Sequence, residues 1–198
     1  MTAMPKHEIT ADDLMSVEDY AKVRSERRKA LVARKRLRRL EIGPVATLHF
    51  ENWESMWFQI QEMLYIEKGG AAQIPGELEA YNPLVPKGRE LVATVLFEID
   101  DPDKRKAFLA CLGGVEETVF IEVAGERVKG VPEADQDRTS AEGKASSVQF
   151  IHFPFEPHQI EAFKRPGTPV VVGFSHPHYG HMTMMPEAVR AALAEDFD

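Results

Sequence analysis

Alternating apolar and polar residues mark several segments of this chain as β-strands. In Val45–Glu51 and in Glu90–Ile99 every second residue is apolar, so each segment offers one face to a core and keeps the other wetter. The same reasoning predicts further strands over Val148–Phe155 and Val170–Phe174, a hairpin over residues 119–131, and a loop or edge strand over Ser175–Met185.

Apolar residues three, four and seven positions apart predict helices between these strands. Ser16 is a suitable N-cap for a long basic helix that would continue to about Leu40. Asn52 is placed to cap a second helix over Trp53–Glu67. Further helices are predicted over residues 101–112, 157–164 and 186–195, and Gln73–Pro86 is predicted to be a loop with one short helical turn.

The predicted strands are too numerous for a regular alternation of strand and crossover helix. The pattern therefore predicts an α+β fold, in which a mixed or largely antiparallel sheet has helices packed against it. A length of 198 residues fits a single domain, 1–198. Residues 1–10 are expected to be flexible, and residues 132–147 are expected to form a surface loop.

Composition narrows the class of protein further. Hydrophobic residues make up 43% of the chain, yet no apolar run approaches the roughly 18 residues of a membrane span. The first residues lack the apolar region of a signal peptide, so a cytoplasmic protein with no membrane contact is expected. The single cysteine, Cys111, has apolar neighbours at helical spacing, which predicts a buried core residue. A phosphate loop, H-E-x-x-H and G-x-S-x-G are all missing from the sequence.

Positive charge is concentrated in the first helix. Residues 22–39 hold ten Lys or Arg and one Glu, a balance of +9, so the rest of a chain with net charge −8 carries −17. One interpretation is a solvated basic face that packs partly on its own acidic body. The other is a contact with nucleic acid or an acidic partner. The acidic body would repel phosphates, and no aromatic residues are interleaved with the arginines, so the sequence argues against nucleic acid.

The second helix is apolar nearly all round, which predicts that some of its polar residues are buried. Gln59, Gln61 and Glu62 are the residues concerned. A buried carboxylate must be paired, coordinated or protonated, so Glu62 is a candidate site residue. The alternative is a structural glutamate that pairs with an arginine of the first helix.

Histidines cluster in the segment Ser175–His181. Extended backbone would place His176 and His178 on one side, and His152 in a neighbouring strand is a third candidate ligand. His176, His152 and Glu62 together would suit iron or zinc with an open coordination position. The alternative is a loop whose histidines are hydrogen-bonded or solvated.

A series of short motifs resembles one bacterial family, domain-of-unknown-function family 3501, from about Asp12 to Leu193. The motifs are Gly43-Pro44, Phe50-Glu51, residues 59–64 with Glu67, Glu77-Leu78, residues 81–86, Ala93-Thr94 with Glu98, residues 146–148 with Phe150 and Phe153, and His176-Pro177 with Tyr179.

The resemblance implies little about chemistry, because the family lacks an established activity. Its genes often lie beside rubrerythrin-like proteins and iron–sulfur oxidoreductase subunits, which implies such proteins as partners and a supporting role in redox or peroxide stress. The family pattern includes the candidate binding residues Gln59, Gln61, Glu62, Glu77, Asn82, His176 and Tyr179. This chain departs from the pattern at Tyr65, where an arginine is expected, and at Ser175, where an aspartate is expected; both changes weaken a catalytic interpretation.

The leading hypothesis from the sequence is an accessory domain that binds a ligand or partner through a pocket near Gln59, Glu62, Asn82 and His176. A metalloenzyme that uses His176, His152 and Glu62 is the alternative from another class. Nucleic-acid binding through Arg27–Arg39 is a further alternative.

Overall fold

Two antiparallel sheets and a layer of helices make up the fold in a computed structural model that describes residues 6–133, 139–140 and 143–198. The helices are α1 Val17–Lys35, α2 Trp53–Glu67, α3 Ile74–Tyr81, α4 Pro102–Ala110, α5 Pro157–Lys164 and α6 Glu187–Leu193. The strands are β1 Arg39–Ile42, β2 Ala46–Glu51, β3 Glu90–Phe97, β4 Val119–Val123, β5 Glu126–Lys129, β6 Val131–Pro132, β7 Val148–Pro154, β8 Val170–His176 and β9 Tyr179–Met184.

The first sheet has the strand order β1-β2-β3-β7-β6, and the second has the order β5-β4-β8-β9. Every pair of neighbouring strands in these two sheets is antiparallel. The predicted α+β class and the antiparallel pairing are therefore confirmed.

The first sheet lies between two apolar cores. Leu48, Val95 and Ile151 point from it toward the second sheet, where they join the larger core. On the opposite face Val92 packs with residues of α1 and α2, such as Tyr20 and Ile60, in a smaller core. Because the side chains of a strand alternate between its faces, one sheet supplies both cores.

The largest differences from the predicted elements lie at the end of the first helix and in residues 73–86. The first helix ends at Lys35 rather than near Leu40, because the chain extends into β1, where Leu40 and Ile42 are buried on the core side. The segment Gln73–Pro86, predicted to be mostly loop, contains the two-turn helix α3 with Pro75 in its first turn.

The prediction for Cys111 was wrong. Cys111 follows the last residue of α4, and its side chain is exposed. Leu109 and Leu112 are the core residues of this segment. The helix ends one residue before Cys111, so helical spacing no longer governs where the thiol points.

The expected flexible and looped segments are covered only in part. Residues 1–5, 134–138 and 141–142 lie outside the described residues. Of the rest, Ile9 is buried, Val131 and Pro132 form the short strand β6, and Thr139 makes an isolated bridge with Ala145. In the described residues, no helix has the length and apolar character that crossing a membrane requires.

Candidate ligand groove between α1 and α2

The segment Lys6–Ser16, called here the N-terminal strap, runs across the helical layer and is held by α2. The indole N–H of Trp53 donates to the carbonyl oxygen of Glu8 at 2.8 Å, and that of Trp57 donates to the carbonyl oxygen of Asp13 at 2.9 Å. Residues four apart lie on one face of a helix, so α2 presents both indoles to the strap.

Two side-chain amides continue this attachment. Gln61, one further turn along α2 and 1% exposed, accepts a hydrogen bond from the amide of Met15 at 2.8 Å. Asn82 accepts from the amide of Ile9 at 2.8 Å and donates to its carbonyl at 2.9 Å. Two of the predicted site residues therefore serve to hold the strap, because buried backbone groups need partners.

The strap, α1 and α2 enclose a groove of about 310 Å³, called here the tryptophan groove. The rings of Trp53 and Trp57 lie nearly parallel, with an interplanar angle of 15° and centroids 6.3 Å apart. Leu31 and Phe58 add to the apolar lining. With both indole N–H groups used by the strap, the tryptophans offer the groove apolar ring surface.

Cations surround the aromatic surface. Lys6 Nζ lies 4.7 Å from the centroid of the Trp53 ring, and the Arg27 guanidinium lies 5.5 Å from that of Trp57. Lys6 is paired with Asp13 at 2.6 Å. A second cavity of about 260 Å³ shares Lys6, Trp53 and Arg34 with the groove and extends it toward the C-terminus.

Arg27 and Arg34 are the basic residues of α1 that line the groove, and Arg27 has no carboxylate partner among the described residues. Arg34 forms an ion pair with Glu54, and Arg24 forms one with Glu62. Arg38, at the far end of the basic segment, is paired with Asp196. Much of the basic segment therefore packs on carboxylates of the rest of the chain, as the first interpretation of its charge proposed.

Glu62 belongs to this paired set. Its two carboxylate oxygens accept hydrogen bonds from Arg24, each at 2.8 Å, and one of them also accepts from the Tyr20 hydroxyl at 2.6 Å. The hydrogen bonds from Arg24 hold the pKa of the Glu62 carboxyl below its ordinary value, although burial opposes this. The alternative interpretation of Glu62, a glutamate paired with an arginine of the first helix, is the one observed. Arg24 also lies 4.7 Å from the ring centroid of Tyr65, the residue that departs from the family pattern.

The remaining predicted residues make local contacts. Gln59 donates to the Tyr81 hydroxyl at 3.4 Å, and Glu77 accepts from Gln73 at 2.8 Å. Tyr179 is buried between the sheets and donates to the carbonyl oxygen of Ile42 at 2.6 Å.

His176 and Glu62 lie on opposite sides of the first sheet. His176 ends β8 in the second sheet, where its Nε2 is 3.3 Å from the carbonyl oxygen of Gly113 and its Nδ1 accepts from the amide of His178. Glu62 lies in the helical layer beyond the first sheet. The structure therefore does not bring these two residues into the single pocket that the sequence suggested.

The predicted metal ligands are separated as well. His152 lies between two carboxylates, with Nδ1 2.9 Å from Glu90 and Nε2 2.9 Å from Glu133. Within the described ranges, no group of three or more His, Cys, Asp or Glu side chains is arranged to hold a metal ion. The structure thus does not bring His176, His152 and Glu62 together, because sequence patterns do not show which strand faces meet.

Sequence reasoning missed the residues that form the groove. In the sequence Trp53 and Trp57 are two of the many apolar residues of the second helix, and Arg27 is one of ten basic residues. The four-residue spacing of Trp53 and Trp57 was the available signal. It does not reveal that the strap crosses the face of α2 on which both lie. The aromatic rings beside Arg24 and Arg27 of α1 are supplied by α2.

Taken together, fold and groove define an α+β protein in which two stacked antiparallel sheets are covered by helices and an N-terminal strap. The chain belongs to the family described as Protein of unknown function (DUF3501), whose model matches residues 8–197. The resemblance inferred from the sequence is thereby confirmed.

A solved structure of similar fold comes from Burkholderia pseudomallei K96243, a crystal structure described as a novel protein of unknown function. It is 37% identical in sequence, the alignment covers 96% of this chain and 99% of that chain, and the TM-score is 0.89. None of the curated proteins matches the chain.

Proposed function

We propose that this protein binds a small organic anion in the tryptophan groove, with the anionic group at Arg27 and an apolar or aromatic body against the partly exposed ring of Trp53. One observation carries the proposal: an arginine without a carboxylate partner in the described chain lies over an indole at a groove of about 310 Å³. A volume near 300 Å³ is at the small end of ligand pockets.

The groove has the composition that such a ligand requires. Its aromatic and aliphatic surface favours burial of an apolar body, and stacking against an indole adds to that. A carboxylate, sulfonate or phosphate next to Arg27 would accept charge-assisted hydrogen bonds from its guanidinium, which donates to no other described residue. A ligand that has both an anionic group and an apolar body is favoured over a purely apolar one, because a purely apolar ligand would leave the Arg27 guanidinium without a partner.

Like the leading hypothesis from the sequence, this proposal assigns the protein a ligand-binding role. It places the ligand in the tryptophan groove and not near His176. A role beside rubrerythrin-like or iron–sulfur partners in redox or peroxide stress stays a prediction, because no feature of the groove distinguishes it. The nucleic-acid alternative gains no support from the groove. Of the two indoles only Trp53 is partly exposed, since Trp57 is 8% exposed, so the groove has no pair of open indoles on which successive bases could stack.

Tryptophan fluorescence provides a specific test. The chain has two tryptophans, and both line the groove, so their emission reports on this site alone. Titration with 1-anilinonaphthalene-8-sulfonate, an aromatic anion that absorbs tryptophan emission, should quench that emission and saturate at one probe per chain. N-phenyl-1-naphthylamine, which lacks the sulfonate, should bind about tenfold more weakly.

Two pairs of variants separate the groove from general adhesion. Arg27→Gln should weaken binding of the sulfonate about tenfold, whereas Arg28→Gln, the same charge change on an exposed neighbour, should not. Ala30→Phe should fill the groove, whereas Ala33→Phe adds the same bulk outside it. If Arg27→Gln and Ala30→Phe reduced the quenching no more than their controls Arg28→Gln and Ala33→Phe, the proposal would be overturned.

A further inference from the structure

A separate cavity, of about 320 Å³, lies between α4 and the segment Lys144–Ser147 and is called here the α4 cavity. Arg105, Lys106 and Lys144 line it, as do the two serines Ser146 and Ser147. Among the described residues of this lining there is no carboxylate, although the chain as a whole carries a net charge of −8.

Backbone hydrogen bonds hold the two walls of the cavity together. The amide of Ala145 donates to the carbonyl oxygen of Leu109 at 3.0 Å, which ties the segment to α4. The amide of Phe97 donates to the carbonyl oxygen of Ser147 at 2.9 Å, which ties it to β3. Leu109 and Ala145 are buried, so the floor of the cavity is part of the core.

The polar groups of the cavity are available as donors. Arg105 Nη1 donates to the carbonyl oxygen of Ile99 at 2.8 Å, which fixes the guanidinium and leaves its other nitrogens without a partner in the described chain. Lys106 and Lys144 form no ion pair with any described residue. The Ser146 hydroxyl accepts from the amide of Val148 at 3.2 Å, so its own O–H remains free to donate.

In the part of the chain that the structure describes, no carboxylate forms an ion pair with Arg105, Lys106 or Lys144. Asp101 Oδ1 accepts from the amides of Asp103 and Lys104, and the side chain thereby caps the start of α4. Three like charges around one cavity repel one another, and a bound anion would remove that repulsion.

We propose that the α4 cavity binds the phosphate monoester group of a small phosphorylated molecule. A phosphate offers acceptor oxygens to a site whose described polar side chains can all donate, and an arginine with lysines and hydroxyls is a common set of phosphate ligands. The cavity is larger than a phosphate alone, so it also has room for a small polar body. The proposal does not depend on the tryptophan groove, whose lining shares no residue with this cavity.

Calorimetric titration with glycerol 3-phosphate and with inorganic phosphate, at constant ionic strength, tests the proposal. Both should bind with a stoichiometry of one and compete with each other, and glycerol should not bind. Lys106→Gln should weaken binding about fivefold, as should Lys144→Gln. Lys104→Gln is the matched control, since it removes the same charge from the same helix outside the cavity. Binding of phosphate by this variant should stay within about twofold of the wild type.

Three results would overturn the assignment. Equal weakening by Lys104→Gln and Lys106→Gln would show general attraction of anions, and absence of binding by either phosphate would remove the site. Binding that appears only with vesicles containing phosphatidic acid would assign the cavity to a membrane headgroup instead of a soluble ligand. Thermal unfolding of each variant, measured in parallel, separates a lost ligand contact from a lost fold.

Discussion

Asn82 and Ile9 exchange a reciprocal pair of hydrogen bonds, in which the side-chain amide of Asn82 accepts from the Ile9 amide at 2.8 Å and donates to its carbonyl at 2.9 Å. The Ile9 side chain is 1% exposed. The buried Ile9 side chain and the two hydrogen bonds of its backbone to Asn82 thus hold the strap at one residue, which lies 73 positions from Asn82 in the sequence.

Asn82→Asp should loosen the strap. The carboxylate still accepts from the Ile9 amide, but it loses the donor and places a negative charge against the Ile9 carbonyl. We expect the free energy of unfolding to fall by about 1–3 kcal/mol. Hydrogen exchange at the Ile9 amide and acrylamide quenching of tryptophan emission should both increase. Glu79→Gln, at an exposed position of α3, is the control, and equal exchange in the two variants would contradict the clamp.

The Glu62 carboxylate predicts an acid-sensitive contribution to stability. Because its pKa in the folded protein lies below the ordinary value of 4.5, this contribution is present above that value and is lost as the pH falls through the lower folded pKa. Glu62→Leu should flatten the acid limb of a stability–pH curve measured by urea unfolding. It should also cost about 1–3 kcal/mol at neutral pH, because the buried Tyr20 hydroxyl loses its acceptor.

Glu62→Gln is the companion variant. Its side-chain oxygen can still accept from Tyr20, so it should be more stable than Glu62→Leu while flattening the same acid limb. An acid limb unchanged in both variants would show that Glu62 does not titrate as described. The pKa of the Tyr20 hydroxyl is raised by burial and by its hydrogen bond to Glu62, so this tyrosine should remain protonated in alkaline difference spectra of the native protein.

Tyr179 connects the two sheets through its hydroxyl. It donates to the Ile42 carbonyl at 2.6 Å and accepts from the amide of Ala46 at 3.0 Å, beside the turn between β1 and β2. Tyr179→Phe keeps the ring but leaves both buried backbone groups unpaired, which should lower the unfolding free energy by about 1–3 kcal/mol. Tyr81→Phe removes a hydroxyl with a single 3.4 Å contact and should change it by less than about 0.5 kcal/mol. Equal losses in denaturant unfolding would contradict the role of Tyr179.

His152 predicts a pH dependence of the opposite sign to that of Glu62. Burial disfavours its imidazolium, but the hydrogen bonds to Glu90 and Glu133 outweigh burial and raise the pKa. Stability from the charged bridge is therefore full below the ordinary pKa of about 6.5 and is lost as the pH rises through the higher folded pKa. His152→Gln should remove that loss when unfolding is followed from about pH 5 to about pH 9.

The control for this prediction is His158→Gln. His158 forms an exposed pair with Glu126 at 2.8 Å, where solvent screens the interaction. Its substitution should leave the pH dependence of unfolding nearly unchanged. If the two histidine variants had the same effect, the bridge of His152 would not be the source of the pH dependence.

Local rules recovered much of the secondary structure. Asn52 caps α2 by accepting from the amide of Ser55, and the helix spans Trp53–Glu67 as predicted. The alternation in Val45–Glu51 also identifies the core face, since Ala46, Leu48 and Phe50 are all in the core between the sheets. The wetter face that it predicted was wrong, because Thr47 and Glu51 on that face are buried as well. Capping and alternation act over a few residues, so a single sequence contains the information needed to recognise them.

The candidate site could not be derived in the same way. Glu62 and His176 were both identified as unusual, but the sequence does not show that the first sheet separates them. Arg27 and Trp57 are thirty positions apart and meet only because α1 packs on α2.

The sequence by itself therefore determined the α+β class, the family and the bounds of elements whose caps and periodicity are local. Tertiary structure alone decided the division of the strands into two sheets, the path of the strap and the formation of the tryptophan groove. Periodicity shows that a face of a helix or strand is apolar, whereas the identity of the surface that covers it depends on packing across the whole chain.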